Sequence, residues 1–146
     1  MGRRAPVHGA CRLLGPVVLA GAVLLTPLLA HAAEPSTNVA LHIVPREILF
    51  FSGIAGQWTS VRLDAGERIL QARGHENVAA VVTSLRILGF SATLNQVHEL
   101  RVPEDEGIEA FKVEGNVASV LTRRRAFGFS AFTGRWTEVE RFFVGR

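Results

Sequence analysis

Few side chains in this 146-residue sequence are spaced for chemistry. His42, His75 and His98 share no spacing that would gather them on one metal ion, which takes about four ligands in a structural zinc site, so they read as packed or solvated histidines. Ser52, Ser91 and Ser130 each follow a phenylalanine and recur at equal intervals. A nucleophile occurs once, and none of the three lies in a Gly-x-Ser-x-Gly elbow, so serine catalysis is not expected. Glu104-Asp105-Glu106 brings three carboxylates together, but calcium takes about six to eight oxygen ligands from spaced positions, and the run reads as a solvated turn. Arg123-Arg124-Arg125 is a sharper candidate. Guanidinium groups suit phosphate, sulfate or an acidic glycan, and the plain alternative is a solvated loop tip. Trp58 and Trp136 complete the set. An exposed indole is a platform for a sugar or a peptide, while a buried one packs between elements. Trp58, Trp136, Arg123, Arg124 and Arg125 are therefore the candidate ligand-binding residues. No catalytic set, cofactor or metal site is expected.

The elements that must position these residues are repeats. Residues 77–92, NVAAVVTSLRILGFSA, recur as NVASVLTRRRAFGFSA at 116–131 and as NVALHIVPREILFFSG at 38–53. The starts at Asn38, Asn77 and Asn116 are 39 residues apart without insertion. A constant period of this size marks a repeat architecture, here with units 38–76, 77–115 and 116–146.

Each unit reads as four short antiparallel strands, rich in β-branched and aromatic residues and separated by turn residues. In the middle unit they fall at 78–83, 86–92, 97–102 and 108–113. Val78, Ala80 and Val82 alternate with Ala79 and Val81, so both faces of that strand are apolar and both should be covered. Val78, Val81, Phe90, Val117, Val120 and Phe129 are the expected core. The third strand of the first unit is more polar, so burial should fall from the first strand outward, as in a propeller blade.

Residues 129–136, Phe-Ser-Ala-Phe-Thr-Gly-Arg-Trp, and Gly56-Gln57-Trp58 resemble the strand–turn–Trp segment of kelch-type propeller repeats. The period is nearer the roughly 40–45 residues of a WD40 unit than the roughly 50 of kelch. No Gly-Gly pair or Trp-Asp dipeptide is present, and the middle unit carries Asn95-Gln96-Val97 at the tryptophan turn. The resemblance implies a divergent propeller-type repeat of a secreted bacterial protein, with the tryptophans between blades. The expected fold is all-β, three tandem four-stranded meander repeats in a propeller-like stack. A β-trefoil has the same count of three fours and is the alternative.

Residues 1–32 read as a secretory signal peptide. Arg3, Arg4 and Arg12 are basic, 13–29 is nearly all apolar, and Ala30-His31-Ala32 fits a small-x-small cleavage site. Gly15, Pro16 and Pro27 interrupt the apolar run, which falls short of the roughly 20 residues of a spanning helix. Residues 33–37 are a polar linker. Three of the 16 basic residues leave with the leader, so the mature chain carries thirteen bases against 13 acids. A neutral chain lacks the broad positive face that nucleic acid needs. Cys11, the one cysteine, leaves too, so the domain folds without a disulfide.

These features predict a secreted or periplasmic, non-enzymatic interaction module whose ligand is a glycan or a protein. A structural piece of a larger repeat protein and a propeller-based hydrolase are the alternatives. Three blades cannot close, since closed propellers take about four to eight. The last unit also stops short of a fourth strand, leaving an edge near 137–144 with apolar Phe142-Phe143-Val144. The ends of the stack are expected to expose Val39, Ile43 and Leu49 on one side and Val120, Phe127 and Phe129 on the other. Self-association as a dimer follows from these open ends, with no membrane contact after cleavage.

Overall fold

The structure, a computed structural model, describes residues 37–103 and 105–141, all within the unit Ala33–Arg146. The expected leader, most of the linker, Glu104 and residues 142–146 lie outside the described residues.

Eleven strands make three antiparallel sheets among the described residues. The first sheet holds β1 (Val39–Val44), β2 (Glu47–Ser52) and β3 (Gln57–Arg62). The second holds β4 (Ile69–His75), β5 (Val78–Thr83), β6 (Arg86–Ser91) and β7 (Gln96–Arg101), and the third β8 (Ile108–Glu114), β9 (Val117–Thr122), β10 (Arg125–Ser130) and β11 (Arg135–Glu140). In every sheet, spatial order follows chain order. The fold is all-β, a propeller-like stack of meander sheets, and among the described residues the separate sheets form no shared barrel of the trefoil kind. No helix among the described residues is long and apolar enough to cross a membrane.

The turns explain the strand boundaries. The links β2–β3, β6–β7 and β10–β11 place Gly56 (φ 65°), Asn95 (φ 49°) and Gly134 (φ 62°) in the left-handed region. Glycine and, next to it, asparagine adopt that conformation at least cost. Asn95 therefore does in the middle sheet what glycine does in the other two. Its side chain also reaches the first sheet, donating from Nδ2 to Gln57 Oε1 at 3.0 Å.

The sheets are out of phase with the sequence repeat. The strand that closes each repeat pairs with the strand that opens the next, β4 with β5 and β8 with β9. The cause is turn length. Only Gly115-Asn116 separates β8 from β9, and Gly115 has φ 55°, so the pair is a tight hairpin. Residues 102–107 instead carry the chain from one sheet to the next. Two expectations change as a result. The third sheet has all four strands, and the three-stranded sheet is the first. Burial peaks in the middle of a sheet instead of falling from its first strand: every residue of β5 and β6 is buried, while those of β4 and β7 at the edges are half-buried or exposed.

The middle sheet is covered on both faces. Val78, Ala80, Val82 and Ile87 join a core with Phe111, Val120, Phe127, Phe129 and Trp136 of the third sheet. Ala79, Val81, Leu88 and Phe90 join a second core with Val39, Ile48 and Phe50 of the first. Phe50 and Phe90 stack with centroids 5.1 Å apart. Burying one such side chain contributes about 1.5–3 kcal/mol, so the two cores carry the stack.

Five of the six expected core residues are buried, but Val117 is 53% exposed. It lies at the position of Val78, on the face of the third sheet that meets no described sheet. The end-face expectation is corrected by the same parity. Val39, Val120, Phe127 and Phe129 all point inward to the middle sheet and are buried. Leu49 and Ile43 remain partly or largely exposed.

Candidate interaction surface

The contact between the second and third sheets shows how one sheet receives the next. Gly89 has no side chain, and a Cβ built there would stand 2.5 Å from Phe129 Cδ2. The Phe129 ring occupies that space, with Trp136 against it at 5.3 Å between centroids. Trp136 donates from Nε1 to the His98 carbonyl at 3.1 Å, and its backbone N–H donates to His98 Nδ1 at 3.2 Å. Two polar ladders run beside this packing. Asn38 Nδ2 donates to Asn77 Oδ1 at 2.7 Å, and Asn77 Nδ2 to Asn116 Oδ1 at 2.6 Å. Ser52 Oγ donates to the Ala92 carbonyl at 2.7 Å, and Ser91 Oγ to the Ala131 carbonyl. Ser52 and Ser91 are thus sheet-to-sheet ties.

The first sheet carries the same apolar types on its outer face. Phe51 pairs with Ala40 and with Trp58 across the strands, at the positions of Phe129, Ala118 and Trp136 in the third sheet. Trp58 tilts against Phe51 at 5.0 Å and against His42 at 5.8 Å between centroids, yet it is 55% exposed. A half-open aromatic pair on a face built like a covered one is unusual for a solvent surface, because large exposed apolar patches mark contact sites. The outer face of the third sheet is the counterpart. Val117, Ser119, Gly128, Ser130 and Thr137 line a shallow hollow of about 430 Å³. A Cβ added at Gly128 would meet only Thr137 Oγ1, at 3.7 Å.

The other candidates fall inside the fold. Trp136 is 6% exposed with its indole N–H engaged, so it packs and offers no platform. Arg125 is tied down by Glu106, from Nη2 at 2.9 Å, and by Glu138, from Nη1 at 3.0 Å. Arg124 pairs with Asp105 at 3.5 Å, both side chains well exposed. The acidic and basic runs therefore meet within one chain. Arg123 is exposed and makes no ion pair among the described residues. The cleft of about 560 Å³ beside them also holds Glu138, Glu140 and Arg141. Its mixed signs weaken the attraction that a free arginine run would exert on an anion. Among the described residues, no three His, Cys, Asp or Glu side chains group as a metal site.

Period reasoning at the level of single charges would have found a set that the run-by-run reading missed. Glu67, Thr83 and Arg86 recur 39 residues later as Glu106, Thr122 and Arg125. Glu67 has a fully covered side chain and accepts from Arg86 Nε at 3.0 Å, Arg86 Nη2 at 3.0 Å, Thr83 Oγ1 at 2.6 Å and the Asp64 amide at 2.8 Å. Burial pushes its carboxyl up, but these hydrogen bonds and the Arg86 charge outweigh burial and hold it below its ordinary value. The Arg125 guanidinium holds Glu106 low in the same way, against burial and with help from Thr122. Arg86 is held above its ordinary value by the Glu67 carboxylate. Each set clasps the loop before a sheet to the turn between its two central strands, and Arg86 Nη2 also donates to the Arg62 carbonyl of the first sheet at 2.8 Å. These are structural ion pairs.

No family model matches the chain, and no curated protein matches it. Among solved structures, the chain is similar to the N-terminal domain of Nup159, at 7% identity and a TM-score of 0.40, over 72% of this chain and 32% of that one. It is also similar to a chain of a S. cerevisiae assembly of Dbp5 with Nup159, Gle1, IP6 and ADP, at 8% identity and a TM-score of 0.40, over 74% of this chain and 32% of that one. The chain thus spans about a third of the chains it matches.

Proposed function

We propose that this chain is a non-enzymatic, secreted or periplasmic module that binds a protein through the end faces of its sheet stack. The observation that carries the reading is Trp58, 55% exposed beside Phe51, on a face whose counterparts in the third sheet, Phe129 and Trp136, are buried. Aromatic anchors of this kind dominate binding energy at protein interfaces. Export is supported by the basic start, the apolar run and Ala30-His31-Ala32.

A photo-reactive phenylalanine analogue placed at position 58, and in a second chain at Arg123, tests the surface in the exporting cell. Cross-links to protein are expected from position 58 and not from 123. Cross-links from 123 alone, or capture of glycan at 58, would overturn the reading.

A further inference from the structure

The contact between neighbouring sheets has a direction. The earlier sheet supplies the donors, an asparagine amide and a serine hydroxyl, and in the second sheet a space over Gly89 of β6. The later sheet supplies the asparagine and carbonyl acceptors, and in the third sheet the Phe–Trp pair. At the two ends of the described stack, each half of this pattern has no complement among the described residues. The third sheet ends in Asn116 Nδ2, Ser130 Oγ and the hollow at Gly128, and no described residue accepts from that amide. The first sheet ends in Asn38 Oδ1, the Gly53 carbonyl and the Phe51–Trp58 pair, at the positions of Asn116, Ala131 and Phe129–Trp136.

We propose that the third sheet of one copy receives the first sheet of a second copy, head to tail, with Phe51 and Trp58 seated over Gly128 as Phe129 and Trp136 sit over Gly89. The proposal rests on the reading of the end faces as a protein-binding surface and names the partner. Size complementarity argues for it. Gly89 is filled by a phenylalanine ring from the next sheet, whereas Gly128 is open, and the residue that the period places over it is Phe51. Polarity argues for it too. Donors end one face and acceptors the other, so each face fits its opposite and not itself. Heterologous contacts close into rings when the rotation allows, and two copies give six sheets, within the roughly four to eight of closed propellers.

Three variants of the exported protein test this by sedimentation velocity at micromolar concentration. Gly128→Leu fills the hollow without crowding its own sheet, and Ser119→Arg, across the strand from it, obstructs the same face independently. Trp58→Ser removes the knob from the other face. Wild type is expected to run as a dimer and each variant alone as a monomer. Mixing Gly128→Leu with Trp58→Ser restores a one-to-one dimer, because each chain keeps the face that the other lost; mixing Gly128→Leu with Ser119→Arg does not. A monomeric wild type, a Gly128→Leu chain that still pairs, or a complementary mixture that stays monomeric would overturn the proposal. If wild type is monomeric while position 58 cross-links to a different protein, the second copy is wrong and the interaction surface stands. If position 58 cross-links to nothing, both fail.

Discussion

Glu67 stays ionised in a covered position because four donors meet its two oxygens. Removing one partner of a covered, hydrogen-bonded pair costs about 3–5 kcal/mol, since the other charge is left stranded. Glu67→Ala should therefore lower stability by about that amount in chemical denaturation. Glu106→Ala should cost less, because Arg125 is 20% exposed against 10% for Arg86 and can recover water. The same residues set an acid limit. Both carboxyls titrate below the ordinary value of 4.5 when folded, so their contribution is full above that value and is lost as pH falls through the folded values. Denaturation midpoints should be flat above about pH 5 and fall below about pH 4.5, with a shallower fall in Glu67→Ala. An equal slope in variant and wild type would contradict this. Little of the clasp was legible in runs of like charge: Glu104-Asp105-Glu106 and Arg123-Arg124-Arg125 look like two solvated clusters until the residues 39 positions earlier are laid over them.

At the scale of strands, alternation was the readable signal. It placed Val78 and Val81 on opposite faces, and the structure buries them against opposite neighbours. The phase of the sheets was not readable, because the hairpins that set it turn on residues such as Glu76, which takes φ 43° without being glycine. Nor was the fate of Val117, whose type matches a core position and whose neighbouring sheet is lacking among the described residues. Two glycines at one repeat position give a paired prediction. Gly89→Ala drives a methyl into Phe129 and should cost about 1–3 kcal/mol, the usual range for overpacking. In the dissociated chain, at a concentration too low for pairing, Gly128→Ala should leave unfolding within about 0.5 kcal/mol of wild type, as open surface positions do. Phe90→Ala, which empties the space against Phe50, should cost about 3–5 kcal/mol. A loss below about 1 kcal/mol would mean that the first two sheets do not share a core.

For the whole molecule, the period announced three units, and the parity of the strands decided which residues face outward at the ends of the described stack. The leader expectation makes its own prediction: mass spectrometry of exported protein should find Ala33 or Glu34 at the N-terminus, and Met1 or Gly2 there would contradict export by cleavage. The most direct test of the stack as a unit built to be continued is the solution mass of the processed chain, by sedimentation equilibrium over a range of micromolar concentrations. The account predicts twice the chain mass, falling toward one on dilution. A compact monomer throughout that range, with Trp58 still accessible to a small quencher, would contradict it.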